Sequence, residues 1–412
     1  MTVLARGARG TRSEDVRRGN LSSLLRYVHV HGPTARSRLA AVLGLNRSTI
    51  GDLTSDLVAA GLVREETGRP DQVGDGSESS GGGRPSYVVM PEAERVQVLA
   101  VDVGVTHLTV ARIGLGGAVL SRRDRRYRRG ARRHQRVTAT IVALGAELLA
   151  EVDRHAVVVG VGVAAPGMVR SRDGQVRQAP NLGWKDAPIG AALADALCLP
   201  VEVGNDADLG MRAEHVRGAA AGVDDAVYLS GHSGIGAGII AGGRPLSGRT
   251  GYAGEVGHIV VNPDGLCCHC GSQGCWETEC GEERLFELAG QPAGGGLAGV
   301  REVVAAAAAG DLLAVAAVEH VATWLGRGTA NVVNALNPEI VIMGGALEEV
   351  FGAAGPMVRA ELELAALAAP FEQTRIVNPH LGPDSTLVGA GELAFDSLLS
   401  DPLLKLSRRT AS

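Results

Sequence analysis

The chain has 412 residues, 45% of them hydrophobic, and a formal net charge of −5. That length leaves room for two or three domains with real cores, the apolar share excludes a disordered chain, and the mild acidity excludes nucleic-acid binding over the whole surface. No apolar run is long enough to span a membrane, and Arg6, Arg9 and Arg12 lead into no hydrophobic segment, so a cytoplasmic protein with no membrane partner is expected.

Charge is unevenly spread. Residues 1–50 carry nine arginines against Glu14 and Asp15, so 9 − 2 gives a local net of +7. A basic end on an acidic chain points to an appended module that binds a polyanion. Within it, Leu21, Leu24, Leu25 and Val28 repeat at helical spacing up to His31, where Gly32-Pro33 stops the helix. Thr34 is placed to cap a second helix, Ala35 to Leu43, closed by Gly44. Asn46 is placed to cap a third, Arg47 to Ala60, whose Ile50, Leu53 and Leu57 form the inward stripe.

Two helices joined by Gly44-Leu45-Asn46 make a helix-turn-helix, whose second helix can enter a DNA major groove. Its outward residues Arg47, Ser48, Thr49 and Asp52, with Arg36 at the start of the preceding helix, are the candidates for operator contacts. Leu62-Val63-Arg64 and Tyr87-Val88-Val89 read as the two strands of a wing. The long loop between them holds two Gly-Arg-Pro triplets, so either Arg69 or Arg84 is the candidate for the minor groove, where arginine senses groove width. Asp71, Asp75 and Glu78 in that loop would repel phosphates and keep the insert off the DNA backbone. Residues 1–92 are therefore assigned to a winged helix-turn-helix.

From Gln97 the period changes. Val98 to Gly104 and Leu108 to Ile113 read as strands, and Val119-Leu120 begins a third. The arginine-dense run from Arg122 to Arg136 suits a solvated sheet edge guarded by charge. A helix near 137–152 precedes the strand Ala156 to Val163, and Val201-Glu202-Val203 leads into Gly204-Asn205-Asp206. Farther on, a helix from Val315 to Ala335 ends at Asn337-Pro338, Ile340 opens a strand, and helices are expected over 361–369 and 389–399. No fixed-period repeat is present, so 93–412 is assigned to one two-lobed α/β unit.

The densest chemistry lies between Glu255 and Glu277. His258, followed by Cys268-His269-Cys270 and Cys275, supplies one nitrogen and three thiolates, a complete tetrahedral zinc shell with no position left for water. A structural ion, one per chain, bound by His258, Cys268, Cys270 and Cys275 is the expectation, with Cys267 or His269 as the alternative to Cys268.

These residues carry a resemblance. E-x-G-H followed by C-x-C-G-x-x-G-C-W-E is similar to the signature of the ROK family of repressors, open reading frames and sugar kinases, and the winged module resembles that of the family's regulators. The likeness implies a two-lobed actin-like, ribonuclease-H-like domain in which Glu255, His258 and Glu277 contact a sugar, joined by Asn181, Asn205 and Asp206. Asp206 matches the general base of the family's kinases. Yet the kinase-like D-x-G-G-T-K segment here reads Asp102-Val103-Gly104-Val105-Thr106-His107, and the second phosphate loop has His232 at its first glycine. Backbone must approach nucleotide phosphates closely at such loops, so kinase chemistry is not expected.

The resulting expectation is a sugar-responsive repressor, not an enzyme, that binds double-stranded operator DNA as a homodimer or tetramer and is released by a sugar or sugar derivative. The alternatives are an ROK sugar kinase with an added DNA-binding domain, and a regulator that uses the zinc fold only as a protein docking surface.

Overall fold

A computed structural model describes residues 13–68, 86–127, 133–232 and 234–403. Its first helix, α1 (Ser13–His31), starts earlier than its apolar stripe and ends at Gly32, whose φ of 71° only glycine adopts without strain. The two-residue strand β1 (Thr34–Ala35) then precedes α2 (Arg36–Leu43). Thr34 is therefore not the helix cap expected for it. Its backbone pairs with Val89, its hydroxyl donates to the Gly32 carbonyl at 2.9 Å, and Ala35 takes the cap position before α2 with no side-chain cap. Asn46 does cap α3 (Arg47–Ala59), its Oδ1 accepting from the Thr49 N–H at 2.8 Å. Ile50, Leu53 and Leu57 face the core, joined by Thr54.

The wing forms from β2 (Val63–Gly68) and β3 (Ser86–Pro91), paired antiparallel, with β1 on the far side of β3. Arg69, Arg84 and the acidic insert lie outside the described residues.

Next come β4 (Val96–Val103), β5 (His107–Gly114), β6 (Val119–Arg126), α4 (His134–Ala150), β7 (Val157–Ala165), β8 (Met168–Arg170), β9 (Gln175–Ala179), β10 (Trp184–Ala187), α5 (Ile189–Leu197), β11 (Val201–Asn205) and α6 (Asp206–Arg217). The rest comprises β12 (Ala226–Gly231), β13 (Gly236–Ala241), β14 (Arg244–Pro245), α7 (Trp276–Cys280), α8 (Glu282–Leu288), α9 (Gly296–Ala308), α10 (Leu312–Leu336), β15 (Ile340–Gly345), α11 (Ala346–Ala365), α12 (Ala368–Gln373), β16 (Arg375–Val377) and α13 (Ser385–Ser400). The helix expected over 361–369 is in fact a junction. Ala366 is extended and its neighbour's N–H is taken by Asn334 Oδ1 at 2.8 Å, which separates α11 from α12. No single described helix is long and apolar enough to cross a membrane.

Two five-stranded sheets share one plan. In the first, β4, β5 and β6 run antiparallel while β7 and then β11 add in parallel on the other side of β4, and the second repeats this with β12, β13, β14, β15 and β16. β6 is an edge strand, and its arginines occupy that edge as expected, Arg122 pairing with Asp124 and Asp384. A small antiparallel sheet, β10-β9-β8, completes the first lobe.

Helix α6 runs between the lobes. Gly238 of β13 and Gly389 of α13 each press on its backbone so closely that a Cβ at either position would collide with it. Helix α1 is joined to the first lobe by one continuous core, in which Leu21, Leu24, Leu25 and Val28 cluster with Phe395, Leu398 and Leu399 of α13. Within that contact sits a polar knot. His29 is fully buried, accepts from the Gly116 N–H on Nδ1 at 2.9 Å, and turns Nε2 to Glu392 Oε2 at 3.0 Å. Arg217, the last residue of α6, donates to the same carboxylate at 2.7 Å.

Candidate functional site

The cleft between the lobes, about 390 Å³, is bordered by all six residues expected to meet a sugar: Asn181, Asn205, Asp206, Glu255, His258 and Glu277. They come from separate elements. Asn181 stands in a turn after β9, Asn205 ends β11, and Asp206 opens α6. Glu255 and His258 flank one tight turn, and Glu277 lies in the first turn of α7.

Asn205 is more committed than the sequence indicates. Its Oδ1 accepts from the N–H groups of Ala207 and Asp208 as the cap of α6, and its Nδ2 donates to the Gly167 carbonyl at 3.0 Å. It fixes the mouth of the helix and thereby the aim of Asp206. Burial, reinforced by the Asp102 charge, pushes Asp206 up to about 7. Burial also raises Glu255 and Glu277, and Glu277 Oε2 is tied to the Ile235 N–H at 3.1 Å. Gln178 and Met168 line the same wall. Neither was foreseen, because each stands on a short strand with no motif around it.

Asp102, Gly104, Val105, His107, His232 and Thr386 border, with Asp206, a second and much smaller cavity of about 10 Å³, while His232, Gly234 and Gly236 also line the main cleft. His107 Nε2 lies 3.1 Å from Asp102 Oδ2. Burial opposes charge on this imidazole, but the bond to Asp102 and its charge prevail and hold the His107 pKa above the ordinary value. His232 is lowered by burial, and its Nδ1 lies 2.9 Å from Ser230 Oγ.

Beside the cleft, His258, Cys268, Cys270 and Cys275 bring one donor atom each to within 4.8 Å of one another. The His258 Nδ1 to Cys268 Sγ distance is 3.6 Å and Cys270 Sγ to Cys275 Sγ is 3.7 Å. With Zn–S bonds of 2.3 Å and Zn–N bonds near 2.0 Å, the edges of a tetrahedral shell would be about 3.6 and 3.8 Å. The donor set thus fits one tetrahedral ion in chemistry and in spacing. The group that the structure brings together includes Cys268, and Cys267 lies outside it. His258 turns its other nitrogen, Nε2, toward Glu255 Oε2 at 3.8 Å, so the ring stands between the thiols and the cleft.

On the winged module Arg47, Ser48 and Asp52 are exposed and Thr49 is half-buried along one side of α3. Ser48 Oγ donates to the capping Asn46 at 2.8 Å. Arg36 is held differently from its neighbours on the candidate face. Its guanidinium pairs with Glu65 of β2 and lies 4.9 Å over the Tyr87 ring, so it fastens the helix to the wing.

A sequence model described as "ROK family" matches residues 98–397. The chain is 26% identical over 393 residues to the xylose repressor of Bacillus subtilis (strain 168), an alignment that covers 93% of this chain and 97% of that one. Among solved structures it is similar to a ROK family transcriptional regulator described as a homolog of the E. coli MLC protein. That likeness has a TM-score of 0.75 and 29% identity, and covers 95% of this chain and 99% of that one. A ROK family glucokinase from Streptomyces griseus, in complex with glucose and AMPPNP, superposes with a TM-score of 0.61 and 30% identity over 72% of this chain and 98% of that chain. The regulator's likeness takes in nearly the whole chain, whereas the kinase's covers less of it. With the family's sequence pattern running through both lobes, the chain belongs to the ROK family.

Proposed function

We propose that the chain is a sugar-responsive transcriptional repressor that works in the cytoplasm as a homodimer on a two-fold-related operator. The observation that carries this reading is the cleft itself. Six polar residues from four separate segments converge on one cavity of sugar-accommodating size, in a chain whose likeness to a ROK regulator includes the winged module. Residues 1–92 form the DNA-binding module and 93–412 the sugar-binding unit. Arg47, Ser48, Thr49 and Asp52 face the major groove, with Arg69 or Arg84 in the minor groove.

Carboxylates at Asp206, Glu255 and Glu277 accept hydrogen bonds from sugar hydroxyls, while Asn181 and Asn205 line the same cavity. Zinc at His258, Cys268, Cys270 and Cys275 would hold the imidazole in one tautomer and fix the start of α7, and so the position of Glu277. Because the ligands come from both lobes, a bound sugar favours lobe closure, and closure changes the angle between paired DNA-binding modules. A few kcal/mol of differential affinity is enough to empty the operator.

The kinase reading is favoured by Asp206 and by the glucokinase likeness. Against it stand side chains where backbone must come close to nucleotide phosphates, Val105 in the first segment and His232 at the first position of the second. The test is operator binding with and without sugar in the wild type and in Glu277→Ala. The wild type should release DNA and the variant should bind DNA yet ignore sugar. A variant that responds like the wild type means that this cleft is not the sensor.

A further inference from the structure

We propose that the chain carries a second small-molecule site, separate from the interlobe cleft, that takes an organic ammonium ion with an apolar body. A cavity of about 580 Å³ runs alongside α6 and draws its walls from both lobes. Val203 and Leu393 come from β11 and α13, and Ile239, Ile240 and Pro245 from β13 and β14. Asn205 and Gly251 line this cavity and the cleft alike, so the two spaces share a wall. Asp208, in the first turn of α6, borders this cavity and not the cleft.

Among the described residues the Asp208 carboxylate has neither a hydrogen bond nor an ion pair. Its natural partner is Arg212, one turn along the same helix. That guanidinium is taken by α13 instead, 2.5 Å from Asp396 Oδ1 and donating to the Glu392 carbonyl at 3.2 Å. The other charges on the walls are already met: Asp173 pairs with Arg170 and Arg172, and Glu202 is exposed. The helix dipole favours a carboxylate at this position, but the nearest N–H groups, those of Ala207 and Asp208, go to Asn205. Burial, reinforced by the Glu255 charge, pushes Asp208 up to about 7, so its ionised form is costly until a cation meets it. A divalent metal does not suit the place, because among the described residues the thiol cluster is the group that brings three or more metal-ligating side chains together. One carboxylate among apolar walls suits an ammonium group, which donates to the carboxylate while its carbon body covers the apolar side chains.

The test is calorimetric titration of the whole chain at about pH 8, above the Asp208 pKa, with benzylamine, tyramine and cyclohexylamine against benzyl alcohol and cyclohexanol. At least one amine should bind, tighter than its matched alcohol by roughly tenfold or more, the size of one charge-assisted hydrogen bond. Asp208→Asn should remove that preference, and Glu277→Ala, which alters the cleft, should keep it. Should Asp208→Asn fail to fold, Ser247→Trp decides instead, because a bulky side chain on this wall should weaken the amine severalfold. The inference is overturned if no amine binds, if the alcohols bind as tightly, or if either cavity variant binds amines as the wild type does. Loss of amine binding in Glu277→Ala would place the amine in the cleft and overturn it as well, while leaving the sugar reading untouched.

Discussion

Glu392→Gln tests the joint between the DNA-binding module and the lobes. The carboxylate is 3% exposed, and it receives hydrogen bonds from His29 of α1 and Arg217 of α6. Burial alone would raise its pKa, yet His29 first and Arg217 second lower it from 4.5 to about 2. At about 1.4 kcal/mol per unit, that shift represents roughly 3 kcal/mol of folding free energy. The group is depressed in the folded state, so this stability is present above pH 4.5 and is lost as pH falls from about 4.5 towards about 2. Glutamine keeps the shape and loses the charge, leaving Arg217 buried beside an uncharged partner, a change that typically costs about 3–5 kcal/mol. Urea denaturation at neutral pH, followed by far-ultraviolet circular dichroism, should show a loss of about 3 kcal/mol. A double-mutant cycle with His29→Ala should give a coupling of about 1–3 kcal/mol. The reasoning is refuted if Glu392→Gln stays within about 0.5 kcal/mol of the wild type and both lose stability over the same acid range.

Purified protein should hold one zinc per chain by elemental analysis; Cys270→Ser and Cys275→Ser should lose it, and Cys267→Ser should keep it. With sugar, magnesium and ATP, ADP production should stay at background, and sugar-dependent turnover abolished by Asp206→Asn would show the phosphate loops to be functional. Asp206 has a raised pKa in the folded chain, so its ionisation opposes folding increasingly as pH climbs from 3.8 to about 7. Asp206→Asn should therefore gain stability over the wild type across that window by roughly 1–3 kcal/mol, read by thermal melts at several pH values, while it weakens sugar binding. Arg47→Ala should weaken operator binding and flatten its dependence on salt, whereas Arg36→Ala should lower the stability of the winged module through loss of the Glu65 and Tyr87 contacts.

Local chemistry was legible in the sequence wherever a residue's partner lies within a few positions. The thiol cluster falls within 18 residues of His258, and Asn46 caps the helix that starts at its own neighbour. Long-range pairings were not. Thr34 looks like a cap until Val89 is known to lie across from it, and Arg36 looks free for DNA until Glu65 and Tyr87 are brought beside it. His29 occupies the inner side of α1, and a histidine on an apolar stripe signals a buried partner, but Glu392 is 363 positions away. The duplicated sheet order left no trace as a sequence repeat, because a topology constrains which positions are apolar and not which apolar residues fill them.

One rod touches both ends of this molecule. Helix α6 opens at Asp206 in the cleft and finishes at Arg217 against His29 and Glu392, a span of 12 residues or about 18 Å. Clasped by Gly238 on one flank and Gly389 on the other, it has no slack for sliding sideways, so tilt is the freedom left to it. A tilt of about 3° pivoting at the cleft would carry its far end by about 1 Å, comparable to the helix shifts that switch subunit interfaces. The same leverage runs backwards. Were the winged module held at a given angle on DNA, this rod would carry the constraint to Asp206, and linkage would then make operator and ligand affect each other by the same factor.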